Sequence, residues 1–214
     1  MIKRRLYLVG AGSFGRELRW WIDFSSAKWE GFEFSGFIDD VSDPLKDYPE
    51  YAPGVVATTV DFEPDPGDAL VMAIADPRAK LETAQRLTKK GGRFISFVHH
   101  SVILSNHVRL GDGVVICPNA VVSCHAEIGD FGALNLGVTI GHDVKLGAGC
   151  TLSAHADVTG HVVLEEGVFL GSHASILPHA RVGAFARVGA GTVVLRSVKA
   201  GATVMGVPAK QILP

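Results

Sequence analysis

From Val98 to Val194 every sixth residue is Val, Leu or Ile, in seventeen consecutive positions: Val98, Leu104, Leu110, Ile116, Val122, Ile128, Leu134, Ile140, Leu146, Leu152, Val158, Leu164, Leu170, Ile176, Val182, Val188 and Val194. A helix repeats every 3.6 residues and a strand every two, so neither yields a period of six. The period fits a solenoid with flat faces six residues wide, three of which close a triangular coil of eighteen residues. Four residues after each apolar position comes a small or short residue, from Val102 and Val108 through Ala120, Cys150 and Ala174 to Val198. These read as the second inward-facing position of each hexad. Seventeen hexads predict between five and six coils, stacked at the inter-strand spacing of about 4.8 Å. The register runs unbroken, which predicts no long loop between coils.

Residues 1–93 follow a different rule. The pattern predicts a strand over Arg5–Val9, then the loop Gly10-Ala11-Gly12-Ser13-Phe14-Gly15. A helix follows, with Phe14, Leu18, Trp21, Ile22 and Phe24 on one side. A second strand covers Phe34–Ile38 and ends at Asp39-Asp40. The Pro-, Asp- and Gly-rich stretch Ser42–Gly67 reads as loop with a short strand near Val55–Thr59. Ala69–Ala75 reads as a buried strand, Arg78–Lys90 as an amphipathic helix, and Phe94–Val98 as a last strand. Strands alternating with helices predict a small parallel sheet. The division is therefore 1–93 for an α/β, half-Rossmann-like domain and 94–214 for the solenoid with its tail.

Composition narrows the classes of function. Lys plus Arg number 20 against 22 Asp plus Glu, a formal charge of −2, which argues against a surface that holds nucleic acid by charge. Three cysteines in a chain of this size make no disulfide framework, and they form no CxxC pair. No apolar run approaches the ~20 residues of a membrane-spanning helix. The basic start MIKRRLYLVGAG carries too short an apolar stretch for a signal peptide. A cytoplasmic protein is expected.

The hexads, with the ending Gly206-Val207-Pro208-Ala209-Lys210, resemble the left-handed parallel β-helix of the hexapeptide acyltransferases. The left-handed sense is implied by the resemblance alone. With the strand–helix domain and its glycine loop ahead of the solenoid, the whole chain resembles the bacterial sugar acyltransferases of surface glycans. These include N-acetyltransferases of UDP-4-amino sugars and of GDP-perosamine, and a sialic acid O-acetyltransferase branch. The resemblance implies a homotrimer with active sites between prisms. It also implies that the N-terminal domain holds a nucleotide sugar while the prism holds acetyl-CoA.

It further implies roles for residues. His142, in Ile140-Gly141-His142-Asp143, matches the family's general base, and Asp143 the acidic residue that raises its basicity. Neutral imidazole suits a base working near neutral pH. Gly160 lies eighteen residues further, one coil on, where its N–H meets the thioester oxygen. Thr151, Gly160, Ser172, Pro178 and Ala190 match acetyl-CoA positions, with Pro208 and Lys210 in the tail, Lys210 toward a phosphate. In the first domain, Gly12, Ser13 and Phe14 of the GxGxxG loop, Asp39, Asp40 and Ala75 match nucleotide-sugar positions. A GxGxxG loop between strand and helix suits phosphate, and an acidic residue ending the next strand suits ribose. Asp39 and Asp40 also fit a plain turn-opening role.

Six of the nine histidines lie three residues after the apolar position, in pairs eighteen apart: His107 with His125, His155 with His173, His161 with His179. Each pair is expected to stack vertically. The prism is also the fold of the gamma-class carbonic anhydrases, whose zinc ligands include two histidines five apart. This chain has no such pair, so no metal is expected. The reading that follows is an acetyl-CoA-dependent N-acetyltransferase of a nucleotide-linked 4-amino-4,6-dideoxy sugar, serving O-antigen or lipopolysaccharide synthesis. Two others stay open: sugar O-acetylation of the sialic-acid type, and a non-catalytic trimeric prism that binds nucleotide sugars. Neither a nucleic acid nor a membrane is expected as partner.

Overall fold

The computed structural model describes residues 3–24 and 31–212. The chain forms two compact units, residues 1–75 with 79–96, and residues 76–78 with 97–214.

The first unit runs β1 (Arg4–Val9), α1 (Ser13–Phe24), β2 (Phe32–Ile38), a 3-10 turn at Pro49–Tyr51, β3 (Val55–Ala57), β4 (Ala69–Met72) and α2 (Pro77–Lys89). Its four strands are parallel, in the order β3-β2-β1-β4. That is half of a doubly wound nucleotide-binding sheet, with the reversal of strand order beside β1. Leu6, Leu8 and Val9 of β1 and Leu70, Val71 and Met72 of β4 are buried, as expected for a sheet covered on both faces. From α1, Leu18, Trp21 and Ile22 pack inward.

Three expectations need correcting in this unit. Phe24 is 64 % exposed and stacks on Trp20 at 5.3 Å, because helical spacing puts it beside Trp20, four residues earlier, and off the face of Leu18, Trp21 and Ile22. The strand expected over Ala69–Ala75 stops at Met72. The stretch expected as one strand over Phe94–Val98 is two things. Phe94 makes a single bridge to Leu70, and Ile95 donates its N–H to Leu70. Phe97 then donates to Val114, so Phe97–Val98 is the first rung of the solenoid.

In the second unit two-residue strands alternate with corners. Parallel rungs build three faces, each pairing residues eighteen apart, as in Ala133↔Thr151, Thr139↔Asp157 and Glu127↔Lys145. The first face holds Phe97–Val98, Val115–Ile116, Ala133–Leu134, Thr151–Leu152, Phe169–Leu170, Arg187–Val188 and Thr203–Met205. The second runs from Ile103–Leu104 to Val193–Val194, and the third from Arg109–Leu110 to Ser197–Val198. The antiparallel strand Lys210–Gln211 closes the first face, with Gly206–Ala209 as its turn.

Both inward positions fill the core: Ile116 through Val194 are at most 4 % exposed, and between them lie Val114, Ala120, Ala126, Val138, Cys150 and Ala174 at 0 %. Leu104 is 40 % exposed because the first coil has none before it. The unbroken register expected through Val198 fails at the other end. Arg181 pairs with Ser197 and Arg187 with Thr203, so this coil has sixteen residues. Val198 is thus a strand residue, not the short second position of Val194's hexad. Valine fits either place, so the slip of two left no mark in the apolar pattern.

The corners explain where the histidines sit. From Leu104 to Val188, the third residue after each inward strand residue adopts left-handed backbone, with φ between 55° and 69° at His107, Gly113, Asn119, His125, Phe131, Gly137, Asp143, Gly149, His155, His161, Gly167, His173, His179, Phe185 and Gly191. Gly, Asn, Asp and His tolerate that region best, which is why those residues recur there.

Candidate active site

The corner between the second and third faces stacks His107, His125, Asp143, His161 and His179 in one column, one per coil. His107 and His125 lie parallel at 5.0 Å between ring centres, and His161 and His179 at 4.9 Å. His155 and His173 stack at 5.0 Å on the preceding corner. All three expected pairs are present.

Asp143 breaks the histidine column, and His142 stands beside it. His142 Nδ1 is 2.8 Å from Asp143 Oδ2. The backbone holds the pair firmly: the Asp143 N–H donates to the Cys124 carbonyl at 3.1 Å, and the His161 N–H to the His142 carbonyl at 3.0 Å. With Nδ1 donating to the carboxylate, Nε2 is left as the acceptor. The hydrogen bond from His142 holds the Asp143 carboxyl below its ordinary range. Burial opposes this shift, and the nearby His161, His142 and His125 charges reinforce it. Asp143 therefore stays ionised where histidine titrates.

Gly160 lies under the imidazole. A Cβ there would come within 2.6 Å of His142 Nε2, so the ring can take its place only over a glycine. The Gly160 carbonyl accepts from His179, whereas its N–H finds no acceptor among the described residues. His161, in the same coil as Gly160 and next to Asp143, has Nδ1 4.0 Å from Asp143 Oδ2, and its ring meets that of His142 edge-on at 4.9 Å. Sequence reading paired His161 only with His179. The eighteen-residue register that placed Gly160 by His142 equally places His161 by Asp143.

The other solenoid candidates do not converge within one chain. Pro178 continues the column of His142 and Gly160, exposed one coil further. Ser172 and Ala190 are vertical neighbours on the corner between the first and second faces. Thr151 is buried on the first face. Pro208 lines a cavity of about 420 Å³ at the end of the solenoid, with Arg196, Lys199 and Gln211. Lys210 is exposed in the closing strand and outside that lining.

In the first unit, Gly10, Gly12, Asp39, Asp40, Thr59 and Thr83 line a cavity of about 330 Å³ at the ends of β1 and β2. Gly15 is fixed by packing, since a Cβ would lie 2.1 Å from the Gly10 carbonyl oxygen. At Gly12 a Cβ would meet nothing within 4 Å, so the fold itself leaves room there. Asp39 accepts from the Ala11 N–H at 2.6 Å and the Val41 N–H at 2.8 Å. Asp40 accepts from the Thr59 N–H at 2.7 Å and its hydroxyl at 2.8 Å. Both carboxylates thus brace the loops around the cavity while also lining it. Ser13, Phe14 and Ala75 are not among its lining residues; Ile74 stands where Ala75 was expected, because β4 ends early. Missed from sequence was an adjoining cavity of about 690 Å³ that shares Asp39 and Asp40 and adds Asp43, Tyr48 and Tyr51. Arg16 lies over the Tyr48 ring at 3.8 Å. These residues fall in a stretch whose composition signalled only loop.

The family model for the hexapeptide repeat of succinyl-transferase matches residues 132–154. Comparison with curated proteins gave no match. Among solved structures, PerB from Caulobacter crescentus, in complex with CoA and GDP-perosamine, is 27 % identical with a TM-score of 0.85, over 97 % of both chains. WeeI from Acinetobacter baumannii AYE is 26 % identical with a TM-score of 0.81, over 97 % of this chain and 99 % of its own. The acetyltransferase domain of PglB from Neisseria gonorrhoeae FA1090 shares the fold, at 24 % identity and a TM-score of 0.86, over 98 % of this chain and all of that one. The solenoid is accordingly a left-handed parallel β-helix, preceded in the sequence by a Rossmann-like sheet.

Proposed function

We propose that this chain, a sugar acyltransferase of the hexapeptide-repeat, left-handed β-helix kind, transfers acetyl from acetyl-CoA to the amino group of a nucleotide-linked 4-amino-4,6-dideoxy sugar. The observation that carries the chemistry is the His142 ring, hydrogen-bonded to Asp143 and seated over Gly160. His142 Nε2 accepts a proton from the sugar amine as its nitrogen attacks the thioester carbon. The Gly160 N–H, without an acceptor of its own, stabilises the oxyanion that forms. Collapse of the intermediate expels CoA thiolate, which takes the proton back from the imidazolium. Asp143 keeps the imidazole in the Nε2-acceptor tautomer and balances its transient charge. Base and oxyanion donor suffice for this transfer, and it calls for no metal.

The substrate assignment rests on the likeness, over nearly the whole length of both chains, to PerB, whose structure is a complex with CoA and GDP-perosamine. The cavity at the glycine loop suits a diphosphate at the exposed N-terminus of α1, near the unfilled space at Gly12. Asp39 and Asp40 border the cavity and can accept from ribose or base while bracing the loops, Asp40 also pairing with Arg86 at 3.4 Å. For acetyl-CoA, Ser172 and Ala190 lie on one corner of the prism, and Gly160 and Pro178 on the next. A single elongated ligand touching all four is best served by neighbouring prisms, which supports a homotrimer with shared sites. Such a product serves surface-glycan synthesis, with the acyl donor met in the cytoplasm.

The deciding experiment is a mass-spectrometric acetylation assay with acetyl-CoA and GDP-, UDP- and dTDP-4-amino sugars. A gain of one acetyl group on an amino sugar, absent with the 4-hydroxy analogue, is the expected result. Acetylation of the hydroxy sugar alone would replace this reading with O-acetylation.

A further inference from the structure

His161 is unused in the reaction above, yet it faces the centre of that site. Asp143 Oδ2 stands between two imidazole nitrogens, 2.8 Å from His142 Nδ1 and 4.0 Å from His161 Nδ1. The three ligand atoms lie within 4.8 Å of one another. We propose that His142, Asp143 and His161 bind a divalent transition-metal ion of the zinc class, and that its binding switches acyl transfer off; the inhibitory half rests on His142 being the base.

Two imidazoles and a carboxylate are the donors zinc prefers, with water completing a tetrahedron. At bond lengths of about 2.0–2.2 Å, ligands of a tetrahedral zinc stand roughly 3.4 Å apart. The distances of 2.8 and 4.0 Å bracket that value, so small side-chain rotations suffice. All three side chains are about half exposed, at 54 %, 44 % and 47 %, and so are free to rotate and open to an ion from solvent. The backbone beneath is not free: Asp143 and His161 both hold left-handed corners with φ of 59°, one coil apart. The other stacked pairs, His107 with His125 and His155 with His173, offer two parallel rings and, among the described residues, no third ligand within the same reach.

Inhibition follows from proton bookkeeping. A neutral imidazole carries one N–H. With the metal on the Nδ1 lone pair of His142, that proton must sit on Nε2. Nε2 then donates and cannot accept the amine proton. Asp143 is also drawn onto the metal and no longer holds the tautomer that catalysis needs.

The test is calorimetric titration of the full chain with Zn²⁺ alone, on the wild type and on His161→Asn and His173→Asn. Asparagine tolerates left-handed backbone, so both variants should keep the fold, checked by melting temperature. The wild type should bind zinc at a site that His161→Asn weakens by at least about tenfold, since even outer-shell changes cost about 10–100-fold. His173→Asn should leave it unchanged. In the acetylation assay zinc should inhibit the wild type at concentrations that spare His161→Asn, whose metal-free activity stays near wild type, and a chelator should restore the rate. The proposal is overturned if the wild type binds no zinc, if His161→Asn binds it as tightly, or if saturating zinc leaves turnover intact. Titration needs no substrate, so its result stands apart from whether the acyltransferase reading survives.

Discussion

His142 and Asp143 are sequence neighbours in different backbone environments, and this decides how each is tested. Asp143 holds left-handed backbone, so Asp143→Asn keeps a residue suited to the corner while removing the charge. The loss of a charged hydrogen bond, worth about 1.5–3 kcal/mol, should lower kcat roughly 10- to 100-fold with the melting temperature unchanged. His142→Asn should fall further, by about 10²- to 10⁴-fold, the usual contribution of a positioned base. Gly160→Ala tests the seat beneath the ring: its Cβ would displace the imidazole, so kcat should drop while the melting temperature holds. Turnover within a few-fold of wild type in His142→Asn would remove it as base. The pair was legible in sequence because the motif is local. His161 was legible only through the eighteen-residue register, and the free N–H of Gly160 only through the folded backbone.

The hexads made the solenoid readable because each inward side chain is set by its own six residues, whatever the neighbouring coil does. The corners were less readable. Six histidines shared one hexad position in the sequence, but the reason, a left-handed φ, belongs to the backbone. It predicts that His173→Asn leaves the melting temperature near wild type, whereas His173→Val lowers it. Left-handed backbone costs an ordinary residue about 1–2 kcal/mol, roughly 2–8 °C in a chain of this length. Equal melting temperatures would mean that ring stacking on His155, not backbone, selects histidine there. In the first unit the glycine loop was legible, as was a turn-opening role for the aspartates, which Asp39 fills toward the Val41 N–H; the bracing of Ala11 and Thr59 was not, since those partners are distant in sequence. Asp39→Ala strands two N–H groups, so it should lower the melting temperature and raise the nucleotide-sugar KM together, with the acetyl-CoA KM little changed. A rise confined to the acetyl-CoA KM would mean the ligands are assigned to the wrong units.

Assembly is the property that one chain's sequence shows least directly, because it depends on which face is left over. The outward residues of the first face, Val115, Ala133 and Thr151, are already buried in the chain. The third face carries paired charges, with Glu127 between Arg109 and Lys145 and Glu165 bound to Arg181. Only the second face begins with exposed apolar side chains, Ile103 at 62 % and Val121 at 37 %, on consecutive rungs. The two corners that bound this face are those with the matched acetyl-CoA positions, so packing it against a neighbouring prism would also complete the site. Fully burying a side chain of this size contributes at most about 1.5–3 kcal/mol, and a charge forced into the same place opposes association strongly. Light scattering of the wild type should therefore give three times the chain mass of 22.7 kDa. Ile103→Asp with Val121→Lys should shift the protein toward a single chain that keeps its melting transition and loses turnover. Val121 pairs with Thr139, three residues before His142, whereas Ile103 lies a further rung away, so loss of activity with the fold intact in Ile103→Asp alone would mark sites shared between chains. A wild type that scatters as one chain and still acetylates, or a double variant that stays trimeric and active, would show that this face is not the interface.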